Sequence, residues 1–173
     1  MSALKSRVID TCKRTGEFTT RSGQVVNTYF DKYQFEGRPE LLRDIVKALA
    51  EKIDIDFDVL AGLEMGGIPV ATALSLEMNR PCVFVRKKAK TYGTERIFEG
   101  PEISGKRVLI VEDVTTTGGQ ILISSKELAA AGAHIVGVVL VIARAQEAVD
   151  ALENAQLPLI ALITPADLEA LSK

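Results

Sequence analysis

From Pro39 onward, apolar residues fall into short runs of two alternating kinds. Pro39 suits the first position of a helix, and Leu41, Leu42, Ile45, Val46 and Leu49 recur behind it at helical spacing. Phe57–Ala61 then reads as a short strand, Gly67–Met78 as a helix, and Cys82–Val85 as a strand entered through a turn at Pro81. Arg107–Val111 is a near-continuous apolar strand, and Gly119–Ala131 is a helix that stops at Gly132. Ile135–Ala143, Gln146–Asn154, Leu159–Ile163 and Pro165–Leu171 follow as strand, helix, strand and helix. Lys87–Gly100 breaks the rhythm: it is polar, charged and without period, and reads as a long loop. The first part of the chain is less regular. Leu4, Val8 and Ile9 predict a short helix over Ala3–Arg14, Gly16–Ser22 is polar and irregular, and Val25–Phe30 is extended.

Strands that are apolar throughout, alternating with helices, predict an α/β fold in which a parallel sheet is flanked by helices on both faces. Ligands of such sheets bind at the carboxyl ends of the strands. The sequence turns polar and glycine-rich after Ala61, Val85 and Val111, where that rule expects it to.

Composition narrows the function classes. The chain has 173 residues, 47% hydrophobic and 25% charged, which suits one domain spanning residues 1–173. A net charge of −2 exerts no overall pull on nucleic acid or acidic membranes, so any anion site must be local. The two cysteines, Cys12 and Cys82, form no CxxC pair and suit a reducing compartment. The longest apolar run, Ile135–Ala143, is about half of the ~20 residues a membrane helix needs. The opening MSALKSRVID lacks the apolar core of a signal peptide. The expectation is a cytoplasmic protein with neither a membrane nor a nucleic-acid partner.

The chemistry concentrates in Val108–Gln120, VLIVEDVTTTGGQ. An apolar strand runs into Glu112 and Asp113. A loop of Thr115, Thr116, Thr117, Gly118 and Gly119 then opens a helix. Backbone N–H groups at a helix N-terminus make a phosphate site, and threonine hydroxyls add donors. Carboxylates beside a phosphate are electrostatically poor unless they accept hydrogen bonds from sugar hydroxyls. Acid pair plus phosphate loop therefore reads as a ribose 5-phosphate site. No GK[ST] follows, so it is not a P-loop, and it is not a GxGxxG fingerprint. His134, the only histidine, stands away from every motif, which excludes a histidine-dependent triad or metal cluster.

This segment resembles the phosphoribosyl pyrophosphate (PRPP) motif of type I phosphoribosyltransferases, over thirteen positions. Two further stretches are similar to orotate phosphoribosyltransferases in particular. Arg86-Lys87-Lys88-Ala89-Lys90-Thr91-Tyr92-Gly93 resembles their RK-x-x-K-x-x-G flexible loop. Gly16–Gly23, followed by Tyr29-Phe30-Asp31, resembles the segment that builds their hood over the base. The resemblance spans about Gly16 to about Pro165. It implies a small N-terminal hood to which residues 1–35 contribute.

It implies an enzyme of UMP biosynthesis that transfers the phosphoribosyl group of PRPP to orotate. Glu112 and Asp113 would hold the ribose hydroxyls, and Val114, Thr115, Thr116, Thr117, Gly118, Gly119 and Gln120 would carry the 5′-phosphate. Arg21, Arg86, Lys87, Lys90 and Tyr92 would complete the PRPP site. Arg86, Lys90 and Asp113 would be the catalytic residues. Tyr29, Phe30, Thr116 and Arg144 would border the orotate. Mg²⁺ would be held mainly by PRPP and water, with no protein ligand. The enzyme would be a homodimer whose flexible loop serves the partner's site. The chain departs from the better-known bacterial enzymes in three places. Arg21 stands where lysine is common, Tyr92 stands for histidine, and Met65-Gly66 replaces a Tyr-Lys pair, so that loop lacks a cation. The alternatives are a transferase for another base and a PRPP-sensing regulator without turnover.

Overall fold

The computed structural model describes residues 2–19, 23, 25–88 and 96–171. A helix, α1 (Ser2–Cys12), leads into a hairpin of β1 (Lys13–Thr19) and β2 (Val25–Phe30), and a single turn of helix follows, α2 (Tyr33–Glu36). The main body comprises α3 (Pro39–Ala50), β3 (Val59–Leu63), α4 (Gly67–Met78), β4 (Cys82–Val85), β5 (Phe98–Glu99), β6 (Arg107–Thr115), α5 (Gly119–Ala130), β7 (His134–Ala143), α6 (Gln146–Asn154), β8 (Leu159–Ile163) and α7 (Pro165–Ala170). Its sheet has the order β5-β4-β3-β6-β7-β8, parallel from β4 to β8, with β5 antiparallel on the edge.

The sheet is buried on both faces because the middle of each central strand is a continuous apolar run. Successive side chains of a strand point to opposite faces. On β6, Leu109 and Val111 therefore join a core with α1, α3 and α4, while Val108 and Ile110 join a second core with α5 and α6. The first core takes in Val8, Ile9 and Cys12 of α1 and Phe35 of α2, which fixes the base of the hood to the body. No helix among the described residues is long and apolar enough to cross a membrane.

Several boundaries differ from those the pattern predicts. The helix expected over Ala3–Arg14 ends at Cys12, and Lys13–Thr19, which takes in part of the segment read as irregular, is a strand. It is almost wholly exposed and lacks the apolar alternation that marks a strand, and its order comes from backbone pairing with β2. The strand expected over Phe57–Ala61 lies at Val59–Leu63. Asp58 accepts the Arg107 N–H at 2.8 Å and pairs with its guanidinium, which sets the start of β3 beside β6. Gly62 belongs to that strand because α4 lies hard against it: a Cβ there would come within 2.7 Å of the Ala71 methyl. Part of the segment read as a loop, Phe98–Glu99, forms β5 against Phe84 and Val85. The strand predicted to end at Val111 runs on to Thr115, paired with β7 through Ala143.

Leu109 is fully buried in the first core, whereas Leu76 on α4 is 81% exposed. Leu109→Ala is expected to cost ~2–5 kcal/mol in denaturant unfolding. Leu76→Ala should stay within about 0.5 kcal/mol of the parent in the same measurement.

Candidate functional site

The carboxyl ends of β3, β4, β6 and β7 converge on one edge of the sheet, and β6 delivers the acidic pair there. Because β6 continues through Thr115, Glu112 and Asp113 are themselves strand residues, and both are buried. Past the strand, Thr115 Oγ1 accepts the Gly118 N–H at 3.0 Å and Thr117 Oγ1 accepts the Gly119 N–H at 3.3 Å. These bonds fold the loop back onto the start of α5. Gly118, the N-cap, has φ 75°, a left-handed conformation that glycine adopts without steric cost. Glycine offers no side-chain cap, so the first turn of α5 keeps backbone donors for an external anion. Thr116, Thr117 and Gln120 face solvent around this cradle, Val114 is half-buried behind it, and the Gln120 amide donates to Ser124 Oγ at 3.2 Å.

A carboxylate with no solvent exposure needs a partner. Lys32 is the partner of Asp113, with Nζ 2.6 Å from Oδ2. Glu36, one turn after Lys32, lies against the same carboxylate. Burial, then the hydrogen bond and charge of Asp113, push Glu36 up to about 8. The same causes in the same order push Glu112 up to about 10. Burial works against Asp113 too. Hydrogen bonds from Glu112, Glu36 and Lys32, with the Lys32 charge, outweigh it and hold Asp113 below its ordinary value. At neutral pH the cluster thus contains one carboxylate, two carboxylic acids and one ammonium.

The turn between β3 and α4 closes over this cluster. A Cβ at Gly66 would lie 1.5 Å from Asp113 Oδ2 and 2.9 Å from Glu36 Oε1, and one at Gly67 would lie 2.4 Å from the Val111 carbonyl. The turn supplies no side-chain cation, and Lys32 of the hood brings one to the same place. Lys32 and Glu36 are the residues the sequence reading missed. The signal available to it was a Lys–Glu pair at helical spacing directly after the hairpin.

Arg86 leaves β4 with its guanidinium 3.5 Å from Glu99. The Lys87 N–H donates to Glu64 Oε2 at 3.0 Å, tying the start of the basic segment to the β3–α4 turn. Arg21, Lys90 and Tyr92 lie outside the described residues. At the other end of the site, the Arg144 N–H donates to the Thr115 carbonyl at 2.9 Å, and its guanidinium stands 4.7 Å from the Phe30 ring centre, a cation–π contact. An open cavity of about 1010 Å³ lies alongside, bounded by Lys13, Thr28, Phe30, Arg144, Pro165 and Leu168. Tyr29 is not brought to Arg144. It points to the other side of the hairpin, its ring 5.5 Å from that of Phe18, as alternation along β2 requires.

Residues 35–156 match the phosphoribosyl transferase domain. The chain is 41% identical to an orotate phosphoribosyltransferase of a Nocardioides species over 169 residues, 98% of this chain and 94% of that one. Its fold is similar to that of Mycobacterium tuberculosis orotate phosphoribosyltransferase in complex with Fe(III) dicitrate, with TM-score 0.85 and 34% identity over 96% of this chain and 97% of the other. The same mycobacterial enzyme in complex with PRPP matches with TM-score 0.81 and 31% identity, over 97% and 98% of the two chains.

The raised acids have a thermodynamic consequence. Between the unfolded pKa of Glu36, 4.5, and its folded value of about 8, the native state holds a proton that the unfolded chain has released. Stability therefore falls as pH rises through that window. Glu36→Gln removes the titration while keeping a donor for Asp113. Thermal melts should show parent and variant alike near pH 5 and the variant more stable near pH 8, by roughly 2–4 °C for each kcal/mol relieved.

Proposed function

Because the chain belongs to the orotate phosphoribosyltransferase family, we infer that it transfers the 5-phosphoribosyl group of PRPP to orotate, giving orotidine 5′-monophosphate and pyrophosphate. One juxtaposition carries this reading. β6 brings a buried acid pair and an uncapped helix N-terminus to the same edge where Arg144, bonded through its backbone to Thr115, sets a guanidinium over Phe30. A ribose 5-phosphate spans the first two, and a planar carboxylated base suits the third.

Each group has a task in that transfer. Asp113 and Glu112 accept and share hydrogen bonds with the ribose hydroxyls, and Thr115–Gln120 hold the 5′-phosphate. As the C1–O bond of PRPP breaks, positive charge grows on the ribose and negative charge on the departing pyrophosphate. Arg86 and Lys90 stabilise the leaving group, with Lys87, Arg21 and Tyr92 beside them. Arg144 pairs with the orotate carboxylate, and Phe30 and Thr116 border the ring, while Tyr29, on the other side of the hairpin, does not. Asp113 is already engaged by Lys32 and Glu112 is held protonated, so the donor set suits a Mg²⁺ that enters with PRPP on its phosphate oxygens and water. The ion supplies charge neutralisation for the leaving pyrophosphate. The enzyme works in the cytoplasm as a homodimer, in which the basic segment after β4 closes over the partner's site and excludes water.

The test follows orotate loss by ultraviolet absorbance with PRPP and Mg²⁺, beside wells offering adenine, hypoxanthine, guanine, xanthine and uracil. Orotate alone should be consumed. Turnover of another base in its place would retain the ribose phosphate site and reject the assignment of Arg144. Arg144→Ala should raise KM for orotate by about 10–100-fold, the worth of a charge-assisted hydrogen bond, and leave KM for PRPP nearly unchanged. For the shared site, inactive Lys90→Ala and Asp113→Ala chains should regain activity when mixed, and a mixture that stays inactive would reject it.

A further inference from the structure

Three acidic side chains meet at the end of β6, and the ammonium among them comes from the hood. Asp113 presents two oxygens. Oδ1 accepts the Val114 N–H at 2.5 Å, and Oδ2 faces Lys32 at 2.6 Å. Around Oδ2 stand the Glu36 carboxyl, the Glu112 carboxyl and the Gly66 backbone, with Asp31 further out; Lys32 is the cation among them. Without Lys32 the buried oxygen would meet only acids and a peptide chain. The carboxylate would then take up a proton or rotate away, and in either case it would lose the charged acceptor it offers a hydroxyl at that position.

We propose that Lys32 is a positioning residue for the transfer: it aims the Asp113 carboxylate at the ribose hydroxyls and makes the ribose site complete only when the hood is docked. The proposal rests on the reading that the acid pair receives the ribose of PRPP. Chain connectivity links the hood to the carboxylate. Lys32 lies two residues past β2. The neighbouring Asp31 N–H donates to the Cys12 carbonyl at 2.8 Å, which fastens the turn to the end of α1. Phe35, between Lys32 and Glu36 in sequence, is fully buried in the first core. The helical turn is thus anchored by its apolar side while its polar side meets Asp113. The same packing explains Gly66, because any side chain there would displace the carboxylate that Lys32 holds.

The full chain is tested as the parent and as Lys32→Met, Lys32→Gln and Lys32→Arg, each with its melting temperature. Steady-state kinetics are read for both substrates, and ribose 5-phosphate binding is read by calorimetry. Failure of the parent to convert orotate would overturn the preceding functional reading, while ribose 5-phosphate binding would still report on Lys32. The neutral variants should raise KM for PRPP and weaken ribose 5-phosphate by about tenfold or more, the worth of a hydrogen bond to a charged group, with KM for orotate nearly unchanged. Lys32→Arg should recover most of the loss, since it keeps the charge with altered geometry. A folded neutral variant with unchanged PRPP and ribose 5-phosphate affinity overturns the proposal. Equal losses for both substrates that Lys32→Arg does not relieve also overturn it, because they mark a general folding defect.

Discussion

A negative charge buried at the end of a central strand is the condition to which the rest of this site answers. Asp113 has no exposure to water, and a lone carboxylate in that position would cost several kcal/mol. The molecule meets the cost with one ammonium from the hood and two carboxyls that keep their protons. Each of these partners comes with a structural demand. Lys32 and Glu36 require the single turn of α2, that turn requires Phe35 in the core, and the approach of the β3–α4 turn requires glycine at 66.

Substrate binding can then proceed by exchange of partners. On the proposed reading, the hydroxyl groups of a ribose are neutral donors and can replace part of what the protonated acids supply while Lys32 stays in place. On that reading the phosphate goes elsewhere, to the donors at the start of α5, where the helix terminus favours negative charge. Placing the acid pair on the strand and the phosphate cradle beyond it keeps like charges apart along a single βα junction.

The body of the fold was legible wherever a strand or helix is defined by burial. Gly67–Met78, Cys82–Val85, Gln146–Asn154 and Leu159–Ile163 lie where the apolar pattern puts them. What escaped the pattern is held by backbone pairing or by charge. β1 is exposed on both faces and is ordered by its neighbour. The apolar strand signal stops at Val111 because acids rarely occupy a buried strand, yet pairing with β7 extends β6 past Glu112 and Asp113. The acid pair and the cradle were visible as residue types in order. Lys32 and Glu36 were not, since they are distant in sequence from Asp113 and only the packing of α2 joins them.

The strand that carries the acids is also tied at its opposite end, where Arg107 pairs with Asp56 and Asp58. At about 3.3 Å per residue, Arg107 and Asp113 on this strand stand roughly 20 Å apart. At that distance, and with the Arg107 end open to solvent and salt, its ion pairs act only weakly on the buried cluster. Exchanges of acidic and basic residues at the Arg107 end therefore disturb little of the proton arrangement on Glu36 and Glu112. A single strand thereby gives the chain two independently adjustable ends, one open to drift and one held under chemical constraint.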